Sequence, residues 1–114
     1  MNGDAQLHAR VLRAAAGAAE DTPGVAFLRS GLGALVRGTV RRTGGQVAGV
    51  RAERGPGPGD WRIRVHLAVR RGHRALDVTR EVRTRVAAAA GQALREPGGA
   101  APSVAVTVTV TDIT

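Results

Sequence analysis

The sequence predicts an α+β two-layer sandwich, with two helices packed on one face of a small mixed three-stranded sheet, in the order α-β-β-α-β. Three observations carry that reading. Apolar residues recur at steps of three and four in two separate stretches, one at the start and one after residue 74. Trp61, Ile63, Val65, Leu67 and Val69 alternate with Arg62, Arg64, His66, Ala68 and Arg70, and the valines and threonines of 104–111 alternate in the same way. Between residues 54 and 60 the run "RGPGPGD" holds two prolines and three glycines, which forbid regular structure and mark a turn. Each helix then has one apolar stripe and each strand one apolar face, and stacking two layers buries all of them.

The elements follow in chain order. From Asp4 to Glu20 the residues Leu7, Val11, Ala14, Ala15 and Ala18 line one side of a helix rich in strong helix formers. "DTPGV" ends it, because Pro23 cannot continue the hydrogen-bond ladder. "VAFLR" holds the only phenylalanine, Phe27, and is expected to enter the core as a short strand or extended segment. Residues 29–46 read as a variable loop: Leu32, Leu35, Val36 and Val40 form a helical stripe that Gly31, Gly33 and Gly38 weaken. "QVAGVRAE" reads as a short strand, and with the glycine-proline turn and the long alternating strand it makes a hairpin. After Gly72 the period changes, and Ala75, Val78, Val82, Val86, Ala89, Ala90 and Ala93 line a helix that runs to about Arg95. The closing "SVAVTVTVTDI" is a strand, joined to its predecessor through a strand-helix-strand crossover expected to be right-handed.

Composition narrows the function classes. The 114 residues are read as a single domain, 1–114, long enough for one modest core. No cysteine is present, so disulfides, thiolate metal sites and thiol nucleophiles are excluded. No run approaches the twenty or so apolar residues of a membrane span, and the first twenty residues lack an uninterrupted apolar stretch of signal-peptide length. The net charge of +8 suggests a polyanionic partner. All 17 basic residues are arginine, however, and alanine and glycine are abundant, a compositional bias that lowers the value of the charge as evidence.

The search for chemistry returns little. Gly31, Gly33 and Gly38 fit neither a phosphate loop nor a dinucleotide-binding turn, and no lysine exists to reach a phosphate. His8, His66 and His73 fall on three different elements, so no metal site is expected. The only serines, Ser30 and Ser103, lie outside any recognisable nucleophile motif, and no catalytic residue or cofactor is assigned. What remains is the sheet face opposite the helices. Arg62, Arg64 and Arg70 share it with Thr107, Thr109 and Thr111, and these six are the candidate partner-binding residues. Both aromatic residues are expected at the core or its edge, which leaves that face without a platform for stacking bases.

Taken together, these pieces resemble the alkaline shock protein family, also called the Gls-type envelope stress response family of Gram-positive bacteria, in an actinobacterial-like member. The resembling residues run from about Leu7 to Ile113: the alanine-rich first helix leading to "PGVA" at 23–26, the glycine pair before the first long strand, Gly72, the triplet Val78, Val82 and Val86, and above all "VTVTVTDI" at 106–113. The resemblance implies a cytoplasmic, non-enzymatic scaffold or adaptor in envelope stress response and homeostasis. It also implies self-association, and peripheral placement at the inner face of the membrane through an anchor protein. The contrasting expectation, from the charge alone, is a basic nucleic-acid-binding accessory protein.

Overall fold

The computed structural model describes residues 3–29, 46, 47, 49–57, 59–95 and 102–114. The architecture is the α+β sandwich that the sequence predicts. Helices α1 (Gly3–Glu20) and α2 (Ala75–Leu94) pack on a mixed sheet of β1 (Val25–Leu28), β2 (Gln46–Val47), β3 (Val50–Arg54), β4 (Asp60–Val69) and β5 (Ser103–Ile113). The two long strands, β4 and β5, are predicted ones, and the short strands β1, β2 and β3 bring the sheet to five. Most of the predicted loop 29–46 lies outside the described residues.

The predicted strand at 46–53 is in fact a tight hairpin. The chain turns at Gly49, so that Val47 pairs with Val50 and Gln46 with Arg51. The second short strand, β1, has its own place beside β4. β3 covers one edge of β4 from Trp61 to Val65, and β1 covers the same edge from Leu67 to Val69. His66 marks the handover: its N–H donates to the Gly49 carbonyl and its carbonyl accepts the Arg29 N–H, both at 2.8 Å. That arrangement leaves the other edge of β4 to β5, which pairs with it in parallel along almost its whole length. A parallel neighbour requires a crossover, and α2 provides it.

The core lies between the sheet and the helices. α1 presents Val11, Leu12, Ala15, Ala16 and Ala19, a stripe rotated from the predicted one, which it shares only at Val11 and Ala15 while Leu7, Ala14 and Ala18 are half-buried; α2 presents Val78, Val82, Val86 and Ala90 as predicted. Alanines on α1 against valines on α2 let the two helices approach closely. From below, Ile63, Val65, Leu67 and Val69 of β4 are fully buried, each worth about 1.5–3 kcal/mol of transfer free energy. Trp61 closes one end of the core at 2 % exposure. The His8 ring meets it edge-on at 4.8 Å, the Arg54 guanidinium lies over it at 4.9 Å, and His8 Nε2 is 3.1 Å from the Ala52 carbonyl. At the other end α1 stops in a turn that the buried Thr22 holds, its hydroxyl donating to the Ala18 carbonyl at 2.8 Å.

The expectation for Phe27 is overturned. It is 44 % exposed, on the face of the sheet away from the helices. Val25 pairs with Val69 but Phe27 pairs with Ala68, a one-residue shift at Ala26. Side chains alternate with period two, so one extra residue moves the next side chain to the opposite face. Without that bulge Phe27 would share the buried face with Val25.

Candidate functional site

The register assembles the open face row by row. Glu53, Arg62 and Ala105 stand side by side, followed by Arg51, Arg64 and Thr107, then His66 beside Thr109. The last row is Phe27, Ala68 and Asp112. Each row runs across the strands, and successive rows are two residues apart along β4. Nothing among the described residues covers this face, since both helices lie on the other side.

Two ion pairs organise its charge. Arg51 Nε is 3.5 Å from Glu53 Oε1 on the same strand, although Glu53 stands opposite Arg62. Arg29 Nη1 reaches Asp112 Oδ2 at 3.2 Å, spanning β4 from the β1 side to β5. Both pairs are half exposed, so each contributes at most about 1 kcal/mol. Their larger effect is on what they leave over. Among the described residues Arg62, Arg64 and Arg70 have no ion-pair partner. The Arg29–Asp112 bridge and Phe27 also flank Ala68 from both sides, which explains its complete burial on a face otherwise open to water.

The six sequence-predicted residues therefore separate into groups. Arg62, Arg64, Thr107 and Thr109 lie together on the open face, with Arg64 and Thr107 in register. Arg70 follows the end of β4, exposed, its N–H donating to the Gly24 carbonyl at 2.7 Å. Thr111 sits where β5 carries one residue more than β4, between the pairs Leu67–Val110 and Ala68–Asp112, and its hydroxyl donates to the Leu67 carbonyl at 3.2 Å. It helps to hold the bulge in place. Reading the sequence missed Phe27, Arg29 and Arg51. Arg51 was legible from alternation along β3 once paired with Arg64; nothing local announces the bulge that turns Phe27 outward.

The second surface is the outer edge of β5. Among the described residues this strand pairs only with β4, so one row of its backbone groups has no partner strand. Elsewhere the chemistry is sparse. A shallow groove of about 570 Å³ lies beside the start of α2, lined by Pro23, His73, Arg74, Asp77, Glu81 and Arg85. Within it Glu81 and Arg85 are paired with each other at 2.7 Å, and the described residues contain no cluster of three metal-ligating groups. No described helix is long and apolar enough to cross a membrane. Compared with protein-family models, with curated proteins and with solved structures, the chain finds no match.

Proposed function

We propose that this protein is a non-enzymatic scaffold or adaptor that works through its sheet, with the arginine row as the docking face for an acidic partner. The observation that carries the reading is the set of arginines left over: Arg62 and Arg64 on adjacent rows of the open face and Arg70 exposed past the end of β4, each without an ion-pair partner among the described residues. Unpaired guanidiniums can fork onto carboxylates or phosphates without first breaking an ion pair, at an ordering cost of about 0.5–1.5 kcal/mol for each side chain immobilised. Placement at the cell envelope, with a membrane anchor protein as the acidic partner, rests on the family resemblance alone.

The test is capture of partners from a lysate of the native host by the tagged protein, with and without nuclease, beside Arg62→Glu/Arg64→Glu/Arg70→Glu. The variant folds as the parent does, because all three side chains are exposed, and it loses a nuclease-resistant, membrane-fraction partner. Capture at the parental level sinks the proposal.

One observation favours a second reading. Phe27 gives the open face the aromatic platform that single-stranded nucleic acid uses, beside the arginines that would meet its backbone. On that reading binding falls with salt at a log-log slope of about 0.7 per phosphate contacted, Phe27→Ala weakens it, and nuclease abolishes capture.

A further inference from the structure

The outer edge of β5 carries an inference about its occupant. β5 has 11 residues, twice the usual length of a strand, and among the described residues none of the usual devices that protect an edge. No proline and no charge interrupts it from Ser103 to Thr111; the bulge and Asp112 come only at its end. In a chain of net charge +8 this is a neutral stretch, which adds no like-charge contact of its own when a second copy meets it.

The backbone decides which residues face outward. Ser103 N–H donates to the Gly59 carbonyl at 3.0 Å, so Ser103 turns its peptide groups toward β4. Alternation then directs the N–H and C=O of Val104, Val106, Val108 and Val110 away from β4, to the free side. The same four valines are only partly buried against the core. One edge therefore presents both unpaired peptide groups and incompletely covered apolar side chains.

We infer that two copies of this chain pair antiparallel through β5, about a twofold axis at Thr107, to make one continuous ten-stranded sheet. The sequence around Thr107 reads almost the same in both directions. In this register Val104 exchanges hydrogen bonds with Val110 of the second copy and Val106 with Val108, so all four outward residues are used. Thr107 meets Thr107, and Ala105 meets Thr109, on the open face. The twofold axis is perpendicular to the sheet, so valines meet valines on the helix side and helices stay with helices. In this register residues 103–111 of the two strands overlap, nine residues or about 30 Å of paired edge. The two Arg64 side chains stand three strand spacings apart, about 14 Å, beyond the ~8 Å screening length at physiological salt. Self-association is therefore insensitive to salt or strengthened by it, the opposite of docking to the arginine face.

The inference deepens the scaffold reading, on which it rests only in taking the β5 edge for a contact surface. Sedimentation velocity of the purified chain over a range of concentrations, at low and high salt, tests it. The expected result is a dimer that forms below about 100 µM and persists at high salt. Thr107→Asp and Thr107→Arg, both at an exposed position, each set like charges directly opposite at the axis and weaken the dimer about tenfold or more, and an equimolar mixture of the two restores it. A parent still monomeric at about 100 µM overturns the inference, as does a Thr107→Asp protein that dimerises like the parent, or a mixture that stays monomeric. Arg62→Glu/Arg64→Glu/Arg70→Glu keeps the dimer while losing its partner. If instead the parent captures a partner but stays monomeric, the inference fails and the scaffold reading stands.

Discussion

Three glycine-to-alanine changes separate backbone strain from steric conflict in this fold. Gly17 lies in α1 with open space where a methyl would stand, Gly59 has φ +79° with the same open space, and Gly24 has φ +91° with a methyl placed 2.6 Å from Val78 Cγ2 and 2.9 Å from His73 Nδ1. Gly17→Ala gains about 0.5–1 kcal/mol, because alanine loses less backbone entropy in a helix. Gly59→Ala costs about 1–2 kcal/mol, the penalty for an L side chain in the left-handed region. Gly24→Ala incurs the same penalty plus about 1–3 kcal/mol for overpacking, since Val78 is itself in the core and has little room to give. For 114 residues each kcal/mol moves Tm by about 4 °C. The three variants should thus melt about 2–4 °C higher, 4–8 °C lower and 8–20 °C lower than the parent. Thermal unfolding followed by far-ultraviolet circular dichroism, and by the fluorescence of the single buried Trp61, measures all three. Equal losses for Gly24→Ala and Gly59→Ala would refute the reasoning, because the contact with Val78 would then contribute nothing.

Other outcomes follow from the same packing. Val82→Ala, at the centre of α2's buried stripe, should cost about 2–3 kcal/mol in urea unfolding from two lost methylenes and the cavity they leave; a loss under about 1 kcal/mol would mean that α2 is not seated as described. Ala68→Arg extends the arginine alternation of β4 but forces a long side chain into a fully buried site, and should cost at least about 1–3 kcal/mol. Ala105→Arg, exposed on the same face, should stay within about 0.5 kcal/mol of the parent, and equal costs at the two positions would show Ala68 to be open. A double-mutant cycle on Arg29→Ala and Asp112→Ala should return a coupling of no more than about 1 kcal/mol at low salt, vanishing at high salt.

How far the sequence could be read depended on whether one residue's environment is set locally. Strict alternation in β4 and the valine-threonine repeat of β5 require no partner to be recognised, and the ends of both helices fall within a residue or two of where spacing and Pro23 place them. The failures all have non-local causes. Phe27 faces outward because of a bulge defined by pairing with a strand some forty residues away. Ala68 is buried because its neighbours in space come from β1 and β5. The stretch 46–53 looks like one strand until Gly49 is seen to meet His66, which sets the fold-back. At the site, alternation and the parallel register together brought Arg62, Arg64, Thr107 and Thr109 to one face as expected, while Thr111 was drawn into the strand pairing by the extra residue in β5.

The parallel placement of β5 has a consequence for synthesis. β4 is the central and most buried strand, and the edge it gives to β5 stays empty until the ribosome has made α2 and everything up to residue 103. At ordinary elongation rates of about 5–20 residues per second, those roughly 35 residues take about 2–7 s. For that interval the chain can form α1 and the β1–β3–β4 pairing, but β4 presents a bare border of unpaired peptide groups to its surroundings. Nascent chains on neighbouring ribosomes of one message offer the same border to one another. The strand that completes the sheet thus arrives after the period in which the protein is most open to mispairing, and the speed of translation between Val69 and Ser103 helps to set its yield.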